Sequence, residues 1–124
     1  MAKIKVLVID DNPVIVRMNE SLLTKHGYEV ITARNGVEGI HRAREEHPDV
    51  ILLDIILPEM HGFEVCKELR NTLETRKIPV IIVTGSGLEE IAEREPTIDA
   101  QGYIAKPYDF EKLEGVIKKA LGKG

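Results

Sequence analysis

The stretch Asp49-Val50-Ile51-Leu52-Leu53-Asp54-Ile55-Ile56-Leu57-Pro58 constrains the fold more than any other part of the chain. It is apolar at successive rather than alternate positions, so it has to be buried on both faces, as a central strand of a parallel sheet is. One charge, Asp54, interrupts the run at or near the C-terminal end of the predicted strand. In open α/β sheets ligands bind outside the carboxyl ends of the strands, which makes a carboxylate there more useful for chemistry than for packing. Asp54 is the predicted centre of a site.

Similar punctuation recurs along the chain. Ile4 to Ile9 is a second strand, apolar apart from Lys5, and runs straight into Asp10-Asp11-Asn12-Pro13, where Pro13 suits the first position of a helix capped by Asn12 or Asp11. Val14, Ile15, Met18 and Leu22 then recur at helical spacing as far as His26-Gly27, and the glycine supplies a left-handed stop. Glu29 to Thr32 is a shorter, more polar strand suited to a sheet edge, and Gly36 to Glu46 is a helix ended by Pro48. After the Asp54 strand, Met60 to Arg70 reads as a third helix, with Phe63, Cys66 and Leu69 three residues apart. Ile78 to Val83 is another doubly buried run, closed by Thr84-Gly85-Ser86-Gly87. Leu88, Ile91 and Ala92 mark a fourth helix cut short by Pro96, and Glu95 to Gln101 reads as irregular chain. Tyr103-Ile104-Ala105 is a last strand ending at Lys106-Pro107. Asp109 caps a final helix striped by Leu113, Val116, Ile117, Ala120 and Leu121. Strands alternating with helices imply a three-layer α/β/α sandwich around a five-stranded parallel sheet, with right-handed crossovers. Periodicity leaves the strand order open.

Composition narrows the function classes. At 124 residues the chain is predicted to be a single domain, 1–124, large enough to bury a core without disulfides or structural metal. The net charge of −4 argues against direct nucleic-acid binding, which normally needs a basic patch. Cys66 is the only cysteine, so no disulfide framework exists; it reads as a small buried hydrophobe, and its solitude fits the cytoplasm. Lys3 and Lys5 imitate a signal peptide's basic start, but the apolar run after them is too short, and no stretch is long enough to span a membrane.

Four predicted strands end on Asp10-Asp11, Asp54, Thr84 and Lys106, and the β-α alternation puts all four endings on one edge. Singly, each except Asp54 has a plain explanation: a helix cap, a turn, a solvated lysine before a proline. Asp54 does not, because a carboxylate ending a doubly buried strand needs a partner. Carboxylates on neighbouring strand ends repel by roughly 4 kcal/mol per pair at about 4 Å and an effective dielectric near 20, and a divalent cation relieves this. Few hard oxygen ligands close to solvent suit Mg²⁺, with Mn²⁺ able to substitute, better than a Ca²⁺ cage. His26, His41, His47 and His61 are scattered and read as surface residues, so nothing points to zinc. A carboxylate nucleophile beside a metal, with a lysine and a hydroxyl opposite, is an arrangement for phosphoryl transfer.

With these residues in place, the chain resembles the receiver domains of two-component response regulators over essentially its whole length. The matching elements are Val8-Ile9-Asp10-Asp11, Leu53-Asp54 with Pro58 and Gly62 beyond, Val83-Thr84-Gly85, and Tyr103-Ile104-Ala105-Lys106-Pro107. The resemblance implies a flavodoxin-like fold with strand order 2-1-3-4-5. It implies that Asp54 accepts phosphate from a sensor histidine kinase or a histidine phosphotransfer protein, and that the module signals to a downstream protein without being a conventional turnover enzyme. It also implies that Asp11, Asp54 and the backbone carbonyl of Ile56 bind Mg²⁺, that Asp10 holds metal waters, and that the Lys106-Pro107 bond is cis. In such proteins Thr84 would move toward the phosphoryl group and Tyr103 would swing inward, reshaping the output surface. Strand alternation places Tyr103 and Lys106 on opposite sides of the sheet.

Three positions depart from the family pattern: His61 replaces a usual acidic residue, Ile56 an often polar one, and Pro96 shortens the fourth helix. Ile56 and Ser86 lie two residues beyond Asp54 and Thr84, and Ile56 offers no hydrogen bond to an attacking water, so slow loss of phosphate is expected. A haloacid-dehalogenase-type phosphatase would show Asp-x-Asp after the first strand, and a flavin-binding flavodoxin a Ser/Thr/Gly-rich loop; Asp10-Asp11-Asn12-Pro13 is neither. The remaining alternative is an interaction module of the same fold that signals without phosphorylation, against which stands the retention of Asp10, Asp11, Asp54, Thr84 and Lys106.

Overall fold

The computed structural model describes residues 3–85 and 99–122. Its elements run β1 (Lys5–Ile9), α1 (Pro13–Lys25), β2 (Glu29–Ala33), α2 (Gly36–Glu46), β3 (Val50–Asp54), α3 (Gly62–Arg70), β4 (Val80–Thr84), β5 (Gly102–Ala105) and α4 (Phe110–Ala120). The five strands form one sheet in the order β2-β1-β3-β4-β5, every neighbouring pair parallel. This is the flavodoxin-like order. The polar strand β2 lies at an edge, and the apolar runs β1, β3 and β4 fill the interior. The helix predicted from Leu88, Ile91 and Ala92, its interruption at Pro96, and Ser86 fall outside the described residues.

Alternate residues of the central strands feed two cores, one on each face. Leu7, Ile9, Ile51, Leu53 and Ile82 pack with Ala43 of α2 and with Val65, Cys66 and Leu69 of α3. Their neighbours Val6, Val8, Leu52, Ile81 and Val83 pack on the opposite face with Leu23 of α1 and with Leu113 and Ile117 of α4. Burial on both faces is what the unbroken apolar runs require. Cys66 is buried among apolar side chains, as its neighbours in sequence predict.

Caps hold the helices at the sheet's carboxyl edge. The Asn12 side chain accepts from the backbone N–H groups of Val14 and Ile15, Asn35 from Glu38, and Asp109 from Lys112. Each satisfies donors that a helix start leaves unpaired, a contribution of about 1 kcal/mol per cap. Gly27, at φ 91°, turns the chain out of α1 in the left-handed conformation that favours glycine.

One expected boundary differs, and one helix buries less of its apolar surface than its composition offers. The third helix begins at Gly62 rather than Met60, since Glu59 takes a positive φ of 68° and His61 serves as the N-cap, its Nδ1 accepting from the Phe63 N–H. In α1, the buried side chains are Asn19 and Leu23, while Val14 and Met18 of the predicted apolar stripe are 63% and 61% exposed. The apolar surface of α1 is broader than the strip covered by the sheet, and its outer part borders a groove open to solvent.

Gly62 makes a tight backbone-to-backbone junction next to the carboxyl edge. A Cβ built there would lie 2.6 Å from the Ile55 Cα and 2.7 Å from the Asp54 carbonyl oxygen, and the Gly62 N–H donates to the Ile55 carbonyl at 2.8 Å. The obstruction is backbone, which cannot rotate away. Gly62→Ala should therefore cost roughly 1–3 kcal/mol, the range for overpacking a close-fitted site. Urea denaturation of the two proteins checks this.

Candidate functional site

The sheet register assembles the site. Ile9 of β1 pairs with Leu53 of β3, so the residues that follow, Asp10 and Asp54, emerge side by side. On the other flank Asp54 pairs with Val83, and Thr84 pairs with Ala105, which brings Lys106 round to the same edge. The Lys106 N–H donates to the Thr84 carbonyl at 2.7 Å, and the Lys106-Pro107 peptide is cis.

The Lys106 Nζ lies 3.4 Å from Asp54 Oδ2 and 3.5 Å from Asp10 Oδ2. The other oxygen of each carboxylate takes a backbone donor: Asp10 Oδ1 accepts from the Asn12 N–H at 2.9 Å, and Asp54 Oδ1 from the Ile56 N–H at 3.2 Å. Asp10 and Asp54 are buried, and Asp11 is exposed at the rim. Thr84 is fully buried at the end of β4. The Ile56 side chain is 69% exposed while its backbone N–H is held at Asp54. Tyr103 is half-buried against the core on the α2/α3 side.

The electrostatics follow from crowding two carboxylates around one ammonium. Burial, and then the charge of Asp10, raise the pKa of Asp54; Lys106 and the Ile56 N–H oppose the shift without cancelling it. For Lys106, burial alone would lower the pKa, but the nearby Asp54 and Asp10 outweigh it and the net shift is upward. Asp54 thus sits where positive charge is in short supply.

Carboxylate oxygens of Asp10, Asp11 and Asp54 lie within 4.8 Å of one another. They are hard donors, few, and open to solvent on the Asp11 side, a set that fits a small divalent cation retaining several of its waters. All four histidines are exposed, as their scatter in the sequence predicts.

The structure thus brings together the strand-end groups singled out in the sequence, Asp10, Asp11, Asp54, Thr84 and Lys106, with the Ile56 backbone beside them. One neighbouring pair has no sequence signal of its own. The Tyr108 hydroxyl donates to Oδ1 of the buried Asn19 across the groove between α1 and the chain after β5. An asparagine inside an otherwise helical stripe gives no hint of its partner 89 residues away.

Comparison with known proteins gives a consistent picture. A family model described as the response regulator receiver domain matches residues 6–118. The polar-differentiation response regulator DivK of Brucella ovis is 40% identical over 117 residues, covering 94% of this chain and 95% of that protein. Among solved structures, the chemotaxis protein CheY4 of Vibrio cholerae superimposes with a TM-score of 0.89 at 32% identity, covering 96% of this chain and 99% of the other. The receiver domain of the sensor histidine kinase PA1611 of Pseudomonas aeruginosa, described with a magnesium ion coordinated in its active-site cleft, gives a TM-score of 0.88 at 28% identity, covering 98% and 99%.

Because folding raises the pKa of Asp54, the group favours the native state while protonated and opposes it once charged. That favourable contribution is complete below the ordinary aspartate value of 3.8 and is lost as the pH rises through the higher native value. Asp54→Asn should accordingly raise the denaturation midpoint of the metal-free protein at pH 7, and the gain should vanish below about pH 4. Thermal melts of both proteins across pH 3 to 8 in the presence of a chelator test the sign.

Proposed function

The chain belongs to the response regulator receiver family of two-component signalling, and from that premise we propose that Asp54 takes a phosphoryl group from a phosphohistidine. The donor is a sensor histidine kinase or a histidine phosphotransfer protein in the cytoplasm. Receiver domains of this kind are signalling modules rather than conventional enzymes. The observation that carries the proposal is the convergence of Asp10 and Asp54 on the single Lys106 ammonium, with Asp11 beside them, at the carboxyl edge of the sheet.

In the transfer the P–N bond to the donor imidazole breaks as a P–O bond forms to an Asp54 carboxylate oxygen, and the imidazole nitrogen keeps the electron pair. Lys106 is already poised over Asp54 and balances charge on the phosphoryl oxygens, and the Ile56 N–H steadies the carboxylate during the approach. Thr84, at the end of the neighbouring strand, offers a hydroxyl to one of those oxygens once the group is in place. Asp11, Asp54 and the backbone carbonyl of Ile56 would hold Mg²⁺, or Mn²⁺ in its place, with Asp10 holding coordinated water. When bound there, the cation supplies the positive charge that in-line phosphoryl transfer requires. The magnesium ion in the cleft of the related PA1611 domain supports this assignment. Tyr103 is the proposed relay toward a downstream protein partner, because it packs on the α2/α3 core from β5, the strand that leads to Lys106.

Incubation with phosphoramidate and Mg²⁺, followed by mass mapping, tests the reading. The wild-type protein should gain one phosphoryl group on Asp54, and Asp54→Asn should gain none. Asp11→Ala should require at least about tenfold more Mg²⁺ to load at half the maximal rate, the low end of the loss expected for a weakened metal site. Incorporation into Asp54→Asn at the wild-type rate would overturn the assignment.

Persistence of the signal follows from Ile56. Hydrolysis needs a water in line with the new P–O bond, and the Ile56 side chain at the rim offers that water no hydrogen bond. Replacing it by asparagine supplies a donor and an acceptor at the same place. Ile56→Asn loaded with phosphate and freed of donor should lose the group severalfold faster than wild type, at an order-of-magnitude scale for one positioning contact; an equal or slower decay counts against water placement as the limiting factor.

A further inference from the structure

Asn19 is an anomaly in α1. It is 8% exposed, on the face of the helix turned toward the sheet, where Leu23 one turn later is fully buried. A buried amide costs free energy unless its polar atoms are paired, and here Oδ1 accepts the hydroxyl of Tyr108 at 3.1 Å. Tyr108 lies two residues beyond Lys106, across the cis Lys106-Pro107 bond, and its ring packs against the core on the α1/α4 side. Burial raises the pKa of the phenol, and Lys106, Asp10 and Asp54 all act on it electrostatically, which places it close to the site.

The segment that carries Lys106 is thus held at two points. On the β4 side the Lys106 N–H is fixed to the Thr84 carbonyl at 2.7 Å. On the α1 side the Tyr108 hydroxyl is fixed to Asn19. Between these anchors Lys106 and Pro107 form one wall of a groove of about 940 Å³, and Val14, Met18 and Asn19 form the other. With only the β4 anchor, the chain after Lys106 could swing away from α1 and take the ammonium's approach to Asp54 with it. We propose that Asn19 and Tyr108 are positioning residues for phosphoryl transfer: their hydrogen bond latches the Lys106-Pro107 segment to α1 and so aims Lys106 at Asp54.

The inference rests on phosphorylation at Asp54, and the experiment separates the two. The maximal rate of loading from phosphoramidate at saturating Mg²⁺ is measured for wild type, Tyr108→Phe, Asn19→Leu and the double variant, alongside thermal denaturation of each. Tyr108→Phe leaves the buried Asn19 carbonyl oxygen unpaired and Asn19→Leu leaves the half-buried Tyr108 hydroxyl unpaired, so each should lower the melting temperature; in the double variant both polar groups are gone and the melting temperature should recover. The loading rate should behave differently. It should fall at least about threefold in each single variant, a modest part of the roughly hundredfold that a misplacement of about 1 Å can cost. It should stay equally low in the double variant, because the latch is still missing. A loading rate that recovers with stability in the double variant, or never falls, overturns the latch. Absence of loading in the wild type would instead overturn the phosphorylation reading.

Discussion

Two carboxylates share one ammonium at the carboxyl edge of a sheet whose central strands are covered on both faces, and the surrounding structure serves to hold that arrangement. Asp10 and Asp54 are neighbours because Ile9 is in register with Leu53, and a shift of one residue would separate them. The register is in turn enforced by the two cores, since sliding β3 by one position would send Leu53 and Ile51 to the face that Leu52 and Val50 occupy. Packing energy spread over the sheet is thereby concentrated into the placement of one charge cluster. Lys106 is the partner of two carboxylates, so removing it would leave both buried charges without their ammonium.

The loops at this edge are built from the same few devices. Asp10 Oδ1 and Asp54 Oδ1 each accept from the backbone N–H two residues later, so each carboxylate also organises the turn that leads away from it. Gly62 brings α3 against the backbone at Asp54 and Ile55 more closely than any side chain would permit. Ring orientation at Tyr108 and capping by Asn12 complete a frame in which the functional groups double as the local architecture. Mutating the site residues will accordingly change stability as well as chemistry, and the direction of the stability change separates the two roles.

Much of this was legible in the sequence because burial on both faces leaves an unmistakable pattern. The strands β1, β3 and β4, the caps Asn12 and Asp109, the end of α2 before Pro48, and the strand-end groups Asp10, Asp11, Asp54, Thr84 and Lys106 all follow from apolar runs and their polar closures. Strand order did not follow from periodicity, since three interchangeable apolar runs carry no information about which lies beside which; the resemblance to receiver domains supplied it. The start of α3 lies two residues beyond the point that its periodicity indicates, because a positive φ at Glu59 has no signal in a residue that is neither glycine nor asparagine. Helical spacing marks α1 without saying which of its residues the sheet covers: Asn19 is inside, and Val14 and Met18 are largely outside.

Charge accounting at the site explains why a phosphoryl group there would be felt beyond it. Three carboxylates against one ammonium leave two formal negative charges uncompensated, the deficit that a divalent cation matches. On the proposed reading, conversion of the Asp54 carboxylate to an acyl phosphate raises its charge from about −1 toward −2 and adds three acceptor oxygens, as phosphorylation does elsewhere. The cluster then demands donors it did not need before, and among the described residues Lys106 and, at the end of the neighbouring strand β4, Thr84 can supply them. Neither can move without its strand's neighbours: Thr84 is in register with Ala105, and Tyr103, two residues earlier on β5, is in register with Ile82. On that reading a change in local charge of about one unit would be felt along the β4–β5 edge of the sheet, which leads through Lys106 and Pro107 into the wall of the α1 groove.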